Sequence, residues 1–320
     1  MEHPLLQSYG PLEGWHILLA IGVISIGFFT YQVQKATRLV MLGSPDSRFD
    51  SWSVRIREFI SGWLFQKKVL RDKVAGIMHV LMFWGFLMLS TDMFDLATAN
   101  AFSEKVLPEI LVGPWNGMVE LGYFMALIGC VSALTRRVVF TPEKLKGKSQ
   151  LEGNAILLLI FTITTTSFMV ESAESPSAFW EPIGYWFSER GLSEQTVILS
   201  YWAHMLAISV FLFLIPLSKH MHLVMAVPNV FFHDAGPMAR MRPLALGDDG
   251  KAVPLEDLDI DSFGVSTYNQ YSWRQLIDGW SCTSCARCQD VCPAYASGKM
   301  HMRDKHCLLY TSDAADDIPG

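Results

Sequence analysis

Charge is what this chain has little of. Of its 320 residues, 18% are charged and 51% apolar, and the mean hydropathy is positive. An ordinary soluble domain carries about 25% charged residues, so the shortage points to a membrane protein. The formal net charge of −6 says little by itself, because the distribution of charge matters more than its sum. Cysteine is sparse too: there are six, four of them in one short run, which is not the spread of a secreted disulfide framework. Residues 1–14 hold no Lys or Arg, so the chain starts without the basic region of a cleavable signal peptide. No phosphate-cradling glycine loop, nucleophile elbow or internal repeat stands out.

What is present in quantity is apolar sequence in runs that can cross roughly 30 Å of hydrocarbon as helices. They cover about residues 15–33, 74–94, 112–134, 155–170 and 197–217. The fourth is the shortest and leans on threonines 162 and 164–166, whose hydroxyls can bond within the helix. The expected fold is an all-α membrane protein with a five-helix transmembrane bundle.

The loops differ sharply in basic residues. Lys35, Arg38, Arg48, Arg55, Arg57, Lys67, Lys68, Arg71 and Lys73 lie between spans one and two, and Arg136, Arg137, Lys144, Lys146 and Lys148 between three and four. The other two loops hold Lys105 and Arg190. The positive-inside rule then puts the N-terminus outside and the C-terminus in the cytoplasm. Trp15, Trp115, Trp180, Trp186 and Trp202 at the outer ends suit an interfacial belt. Residues 52–70, basic with interleaved aromatics, read as an amphipathic helix on the inner membrane surface. A segment tethered between two spans is a poor nucleic-acid binder, so no nucleic acid is expected as partner.

Beyond the last span the chain reads Cys282-x2-Cys285-x2-Cys288-x3-Cys292-Pro293. That spacing, closed by proline, is the ligand run of a bacterial-ferredoxin-type [4Fe–4S] cluster. A zinc site is the other reading of clustered thiolates, but it usually uses two separated Cys-x2-Cys knuckles. The thiolates must stay reduced to bind iron, which agrees with a cytoplasmic C-terminus. Cys130, alone in the third span, reads as a small buried residue.

Ionisable side chains inside spans are functional candidates by default. His204 sits near the outer end of the fifth span, His220 and His222 at its inner end, His79 at the inner end of the second, and His16 at the outer start of the first. His204 and His222 are eighteen residues apart, five helical turns and about 27 Å of rise, so an unbroken helix projects them from one face. His220 is rotated about 160° from His204, and Pro216 can kink the helix. His79 with His222 is the natural axial pair for one b-type haem. A second, outer haem would use His204, with His16 the remaining outer histidine. The alternative for each is a hydrogen-bonded packing residue. Among the outer acids Asp92, Asp95, Glu120 and Glu171, a carboxylate could exchange protons with a quinone. A solvated helix end is the other reading, preferred for Asp95.

These residues together resemble a known family. The five-span part resembles the gamma (cytochrome b) subunit of respiratory nitrate reductase. The whole chain more closely resembles the fused form, in which that domain continues into a heterodisulfide-reductase-like iron–sulfur module. The matching stretches are Ala75-Gly-Ile-Met-His79 with Phe83-Trp-Gly-Phe86, then Trp202-Ala-His204, Ser218-Lys-His-Met-His222 and Pro228-Asn-Val-Phe-Phe232. Phe263-Gly-Val265, Trp273-Arg-Gln-Leu-Ile277 and Cys282 through Lys299 complete them, so that the likeness runs from about residue 10 to 306. The group includes membrane-bound electron-transfer-flavoprotein:menaquinone oxidoreductases. The resemblance implies an iron–sulfur and haem b oxidoreductase of a bacterial or archaeal cytoplasmic membrane, passing electrons from a soluble flavoprotein or iron–sulfur donor to menaquinone. A quinol-linked reductase of heterodisulfides or other sulfur compounds is the near alternative, and a non-catalytic membrane anchor for an iron–sulfur partner is the distant one. The nitrate reductase subunit has two histidines on its second span; here the position ten after His79 is Leu89.

The expected plan is a membrane domain over 1–222, a cytoplasmic linker over 223–270 with an acidic stretch at 246–262, and the start of a small α-helical ferredoxin-like domain over 271–306. Residues 307–320 begin Cys307-Leu-Leu-Tyr-Thr-Ser-Asp and resemble the translation of a transposase sequencing adapter, so Cys307 is not counted as a ligand. In two-cluster ferredoxins the fourth cysteine of each run serves the other cluster. Cys292 therefore awaits a partner run, and the chain is expected to be a C-terminally truncated fragment.

Overall fold

A computed structural model of the chain describes residues 4–102, 108–140, 148–235 and 267–283, with 285, 288 and 297 as isolated positions. The side chains of 92–102, 109, 148 and 149 are not part of that description, so Asp92 and Asp95 are placed on a helix only. Cys292, the acidic stretch at 246–262 and the tail after 306 lie outside the described residues.

Among the described residues, apart from a two-stranded hairpin, β1 (Ser8–Tyr9) with β2 (Leu12–Glu13), the regular structure is helical. The long helices are α1 (Gly14–Val40), α3 (Lys73–Phe102), α4 (Glu109–Val138), α5 (Lys148–Glu171) and α7 (Glu194–Leu217), and shorter ones are α2 (Trp52–Phe59), α6 (Pro182–Ser188), α8 (His222–Phe231) and α9 (Trp273–Ser281). Five segments of the described residues are long and apolar enough to cross a membrane: Gly14–Val40, Lys73–Thr91, Ile110–Val138, Gln150–Glu171 and Glu194–Leu217. They coincide with the five expected spans. A helix satisfies its own backbone without water, which is the form an apolar span must take in lipid. Leu19, Val23 and Ile24 on α1 are more than half exposed, as suits a surface that meets hydrocarbon rather than water.

The chain divides into two compact units, Met1–Thr30 with Gln66–Ser218, and Tyr31–Phe65 with Lys219–Gly320. The first holds four of the long helices whole and the start of α1. Its helices approach through small residues. A Cβ on Gly85 would lie 2.6 Å from the Gly122 carbonyl oxygen, one on Gly122 2.9 Å from the Gly85 oxygen, and one on Gly129 2.9 Å from the Met78 oxygen. Lipid tails are as apolar as leucine, so helices in a membrane associate by this kind of close backbone contact. Between α5 and α7, Ile156, Ile163, Ala207, Phe211 and Ile215 form a buried cluster. The threonines of α5 behave as expected: Thr162, Thr164 and Thr166 donate to the carbonyls of Leu158, Ile160 and Thr162. Cys130 is fully buried and its thiol donates to the Leu157 carbonyl.

The second unit collects the last turns of α1, helix α2, helix α8 and helix α9. Ser44 bridges to Ser272: its N–H donates to the Tyr271 carbonyl and its carbonyl accepts from Trp273 N–H. Gly43 is obligatory there, since a Cβ would meet the Trp273 nitrogen at 2.5 Å. Arg55 is 1% exposed, and its guanidinium is spent on four oxygens: the Asp50 carbonyl (2.7 Å) and carboxylate (2.6 Å), and the carbonyls of Phe231 (3.4 Å) and His233 (2.7 Å). It thus closes the C-terminal end of α8, whose last carbonyls have no helical partners. Arg274 adds bonds to the Phe232 carbonyl, Asn229 and Asp278.

Two expectations fail. The 52–70 stretch is not one helix: α2 ends at Phe59, a π-turn covers Ile60–Leu64, Gln66 turns through a left-handed φ of 49°, and a 3-10 turn follows at Val69–Arg71. The fifth span does not continue to His222 either. Helix α7 stops at Leu217, Ser218 is extended (φ −127°, ψ 177°), and a 3-10 turn at Lys219–Met221 leads into α8. Pro216 removes an N–H from the ladder near that end, and the eighteen-residue phase relation between His204 and His222 breaks there. Helix α8 forms the first part of the segment after the last span.

Candidate metal and haem sites

Helix α9 delivers the cysteine run. Ser272 caps it, accepting from Gln275 N–H while Gln275 returns a bond to the Ser272 N–H, a capping box that fixes the first turn. At the far end Cys282 is the C-cap residue. Cys282, Cys285 and Cys288 are free thiols, the first half-buried and the other two exposed. Among the described residues, no group of three His, Cys, Asp or Glu side chains is gathered closely enough to hold a metal ion, and the fourth cysteine lies outside them. The donor set nevertheless fits a cluster: cysteines outside any disulfide, at the required spacing, following a well-capped helix.

The histidines are distinguished by their ring nitrogens. His79 Nδ1 lies 2.8 Å from Oε1 of Gln66, and His222 Nδ1 lies 2.9 Å from the Lys219 carbonyl. His204, 9% exposed, points Nδ1 at the Ile163 carbonyl (3.0 Å) and at the hydroxyls of Thr166 (3.1 Å) and Ser167 (3.3 Å). Those hydroxyls already donate to helix carbonyls, so at His204 they accept. In all three rings an oxygen facing Nδ1 places the proton there and the lone pair on Nε2, the arrangement of a metal-bound imidazole oriented by a second partner. These three residues fit axial ligation of a haem. His16 is the reverse. It is exposed, stacks on Trp15 at 3.6 Å, and its Nδ1 accepts from the Glu13 N–H, so its proton belongs on Nε2. His79 belongs to the first unit and His222 to the second.

Glu120 is 3% exposed and is not a solvated helix end. One of its oxygens accepts from the N–H groups of Ile183 (2.6 Å) and Gly184 (2.8 Å) at the first turn of α6, where Pro182 occupies the first helical position. Glu181, the N-cap residue, accepts from Asn116 and from Ser177 N–H. Glu171 neighbours both carboxyls; its Oε2 is buried without a hydrogen-bond partner and stands where a Cβ on Gly184 would come within 3.0 Å. Asp92 lies on α3.

Sequence reasoning missed Gln66, Thr166, Ser167 and Glu181 as partners in these sites. Gln66 carries no local signal. The Glu181-Pro182 pair does, because proline at the first turn marks a helix start.

No family model matches the chain, and no solved structure matches it. Curated relatives do. The chain is 27% identical to an EtfAB:quinone oxidoreductase of Syntrophomonas wolfei across 97% of its own length and 47% of that protein. It is 26% identical to a probable iron-sulfur-binding oxidoreductase, FadF, of Bacillus subtilis across 89% of its length and 40% of that protein. A 57-residue stretch is 37% identical to a probable membrane-anchored ferredoxin of Chromohalobacter salexigens, covering 17% of this chain and 8% of that one. The chain therefore spans less than half the length of the curated relatives it matches.

Proposed function

We propose that the chain is the membrane portion, with the first cluster-binding segment, of an iron–sulfur oxidoreductase that passes electrons from an electron-transfer flavoprotein in the cytoplasm to menaquinone. The observation that carries this is a ferredoxin-type thiol run beginning at the C-cap of α9, on a chain similar along 97% of its length to an EtfAB:quinone oxidoreductase. Cys282, Cys285, Cys288 and Cys292 would hold [4Fe–4S] iron, in the two-cluster pattern with a second run elsewhere. His79 and His222 would be the axial ligands of an inner b haem. His204 would serve an outer one, and His16 would have to release the Glu13 amide to join it through Nε2. One-electron carriage is what such centres supply when bound. The chain's own residues do the rest: Gln66, the Lys219 carbonyl and the Ile163 carbonyl fix the tautomer of each imidazole.

Reduction of a quinone also takes up protons. Glu120 is committed to the first turn of α6, so Glu171, whose Oε2 is buried without a hydrogen-bond partner, would be the carboxyl that hands over a proton; Asp92 is a further candidate. The N-terminus would face outside and the cysteine run the cytoplasm. A second reading, a membrane anchor that only recruits an iron–sulfur partner, is favoured by the ferredoxin-like 57-residue match. The two part on one experiment. Membranes holding the natural full-length protein are reduced with electron-transfer flavoprotein, and a menaquinone analogue is added. Reduction of a b-type absorbance by the flavoprotein and its reoxidation by quinone support the oxidoreductase. An absorbance unmoved by either leaves the anchor.

A further inference from the structure

The cysteine run and His222 have been treated as separate ligand sets, but the second unit ties them to one helix. Ser281, the last residue of α9, donates to the Met225 carbonyl at 3.0 Å and to the Ile277 carbonyl at 2.9 Å. Met225 is three residues after His222, a rise of about 4.5 Å along α8, and Cys282 is the residue after Ser281. Trp280 packs against the Ala36–Met221–Met225 cluster and also against the Val40–Leu276–Ile277 cluster. The ring thus sits between the end of α1, the first turn of α8 and the body of α9. Further along, Arg274 with Asn229 and Asp278 pins the other end of the α8–α9 pair.

We propose that Trp280 and Ser281 are positioning residues: they latch the start of the cysteine run onto the first turn of α8, so that Cys282 and His222 are carried on one rigid piece. This rests on the ligand assignments above. The geometry does not depend on them, because both contacts are made by the protein alone. A latch here would fix the separation between the sulfur-bound and imidazole-bound centres, which sets how readily one electron leaves the cluster, oxidising it, and reduces the haem.

The first test needs neither centre. In the metal-free, reduced chain in detergent, alkylation of each cysteine by N-ethylmaleimide is followed by mass spectrometry. Ser281→Ala is expected to speed alkylation of Cys282 about fivefold, the equivalent of one hydrogen bond, and to leave exposed Cys285 unchanged. Ser281→Thr keeps the hydroxyl and should hold Cys282 near its original rate, while Trp280→Ala should speed it further. Identical Cys282 rates in the original chain and Ser281→Ala would overturn the latch. The second test uses the full-length protein with its centres. Ser281→Ala should slow reduction of the b-type absorbance severalfold after the cluster is reduced, with iron, sulfide, haem and midpoint potentials unchanged. An unaltered rate would overturn its role in coupling. If the unmodified protein binds no iron and no haem, the ligand assignments fall, and the alkylation result still decides the latch.

Discussion

The two compact units are held together by opposite means. In the first, helices meet where side chains are missing: Gly85 against Gly122, and Gly129 against the Met78 turn. Its hydroxyls mostly turn back on their own helices, as Ser25, Ser90 and Thr135 do on the carbonyls of Ile21, Phe86 and Val131. In the second, long side chains reach across the chain. Arg55 and Arg274 gather backbone carbonyls of the α8 terminus, and Arg48 pairs with Asp46 and Asp234. The difference follows from what each must satisfy. Membrane-crossing helices carry complete backbone ladders and need only shape to associate. Short helices joined by irregular chain leave terminal carbonyls exposed, and guanidinium groups with several donors are suited to close them.

That contrast can be broken most forcefully at Arg55. Arg55→Ala should destabilise the second unit by about 3 kcal/mol, because it leaves the Phe231 and His233 carbonyls without their donor and empties a buried side-chain site. Arg55→Lys should rescue little, because an ammonium lacks the planar fork. Thermal unfolding followed by protection of the α8–α9 amides from exchange would measure both, and a shift below about 1 kcal/mol would contradict the clamp. In the first unit, Gly122→Ala should cost about 1–3 kcal/mol by overpacking. Gly22→Ala on α1, where a Cβ meets nothing within 4 Å, should be neutral or slightly stabilising. Reversible unfolding in mixed micelles compares the pair, and equal effects would remove the close-approach argument.

A smaller effect is expected at Asn229→Ala, about 1 kcal/mol, since Asn229 donates to Asp278 and accepts from Arg274. It should be confined to the second unit. The smallest is a pH effect. The Arg55 guanidinium, hydrogen-bonded to Asp50, holds that carboxyl below its ordinary value. A depressed folded value stabilises fully above the unfolded carboxylate value of about 3.9, and the contribution drains away as pH falls from there to the folded value. Asp50→Asn should flatten that acid limb in a stability-against-pH series; a limb of unchanged steepness would show that another group causes it.

Much of this was legible in the sequence, and the reasons differ by element. The spans were visible because each is a long apolar run with at most one ionised side chain, Asp92 in the second and Glu120 in the third. The thiol run was visible because several spacings coincide. The threonines of α5 could be read because back-bonding to the preceding turn is a local property. Helix α8 was not foreseen, because it is short and carries Pro228 within it. The break at Ser218 was invisible to a phase argument that assumes a continuous helix, and so the expectation that His204 and His222 share one helical face does not stand. The π-turn at Ile60–Leu64 and the left-handed Gln66 have no signal in residue type. Tertiary partners were out of reach altogether: nothing near Gln66 in sequence announces His79, and nothing in α4 announces that Glu120 will cap α6.

The proposed function depends on His79 and His222 ligating haem alongside iron held by the thiol run. The most direct measurement is haem, iron and sulfide per chain in purified protein, with the reduced-minus-oxidised spectrum, for the original and for His79→Ala and His222→Ala. Loss of the same b-type component in both variants, with iron and sulfide retained, is the expected result. A colourless original, or variants that keep its full haem complement, would contradict it.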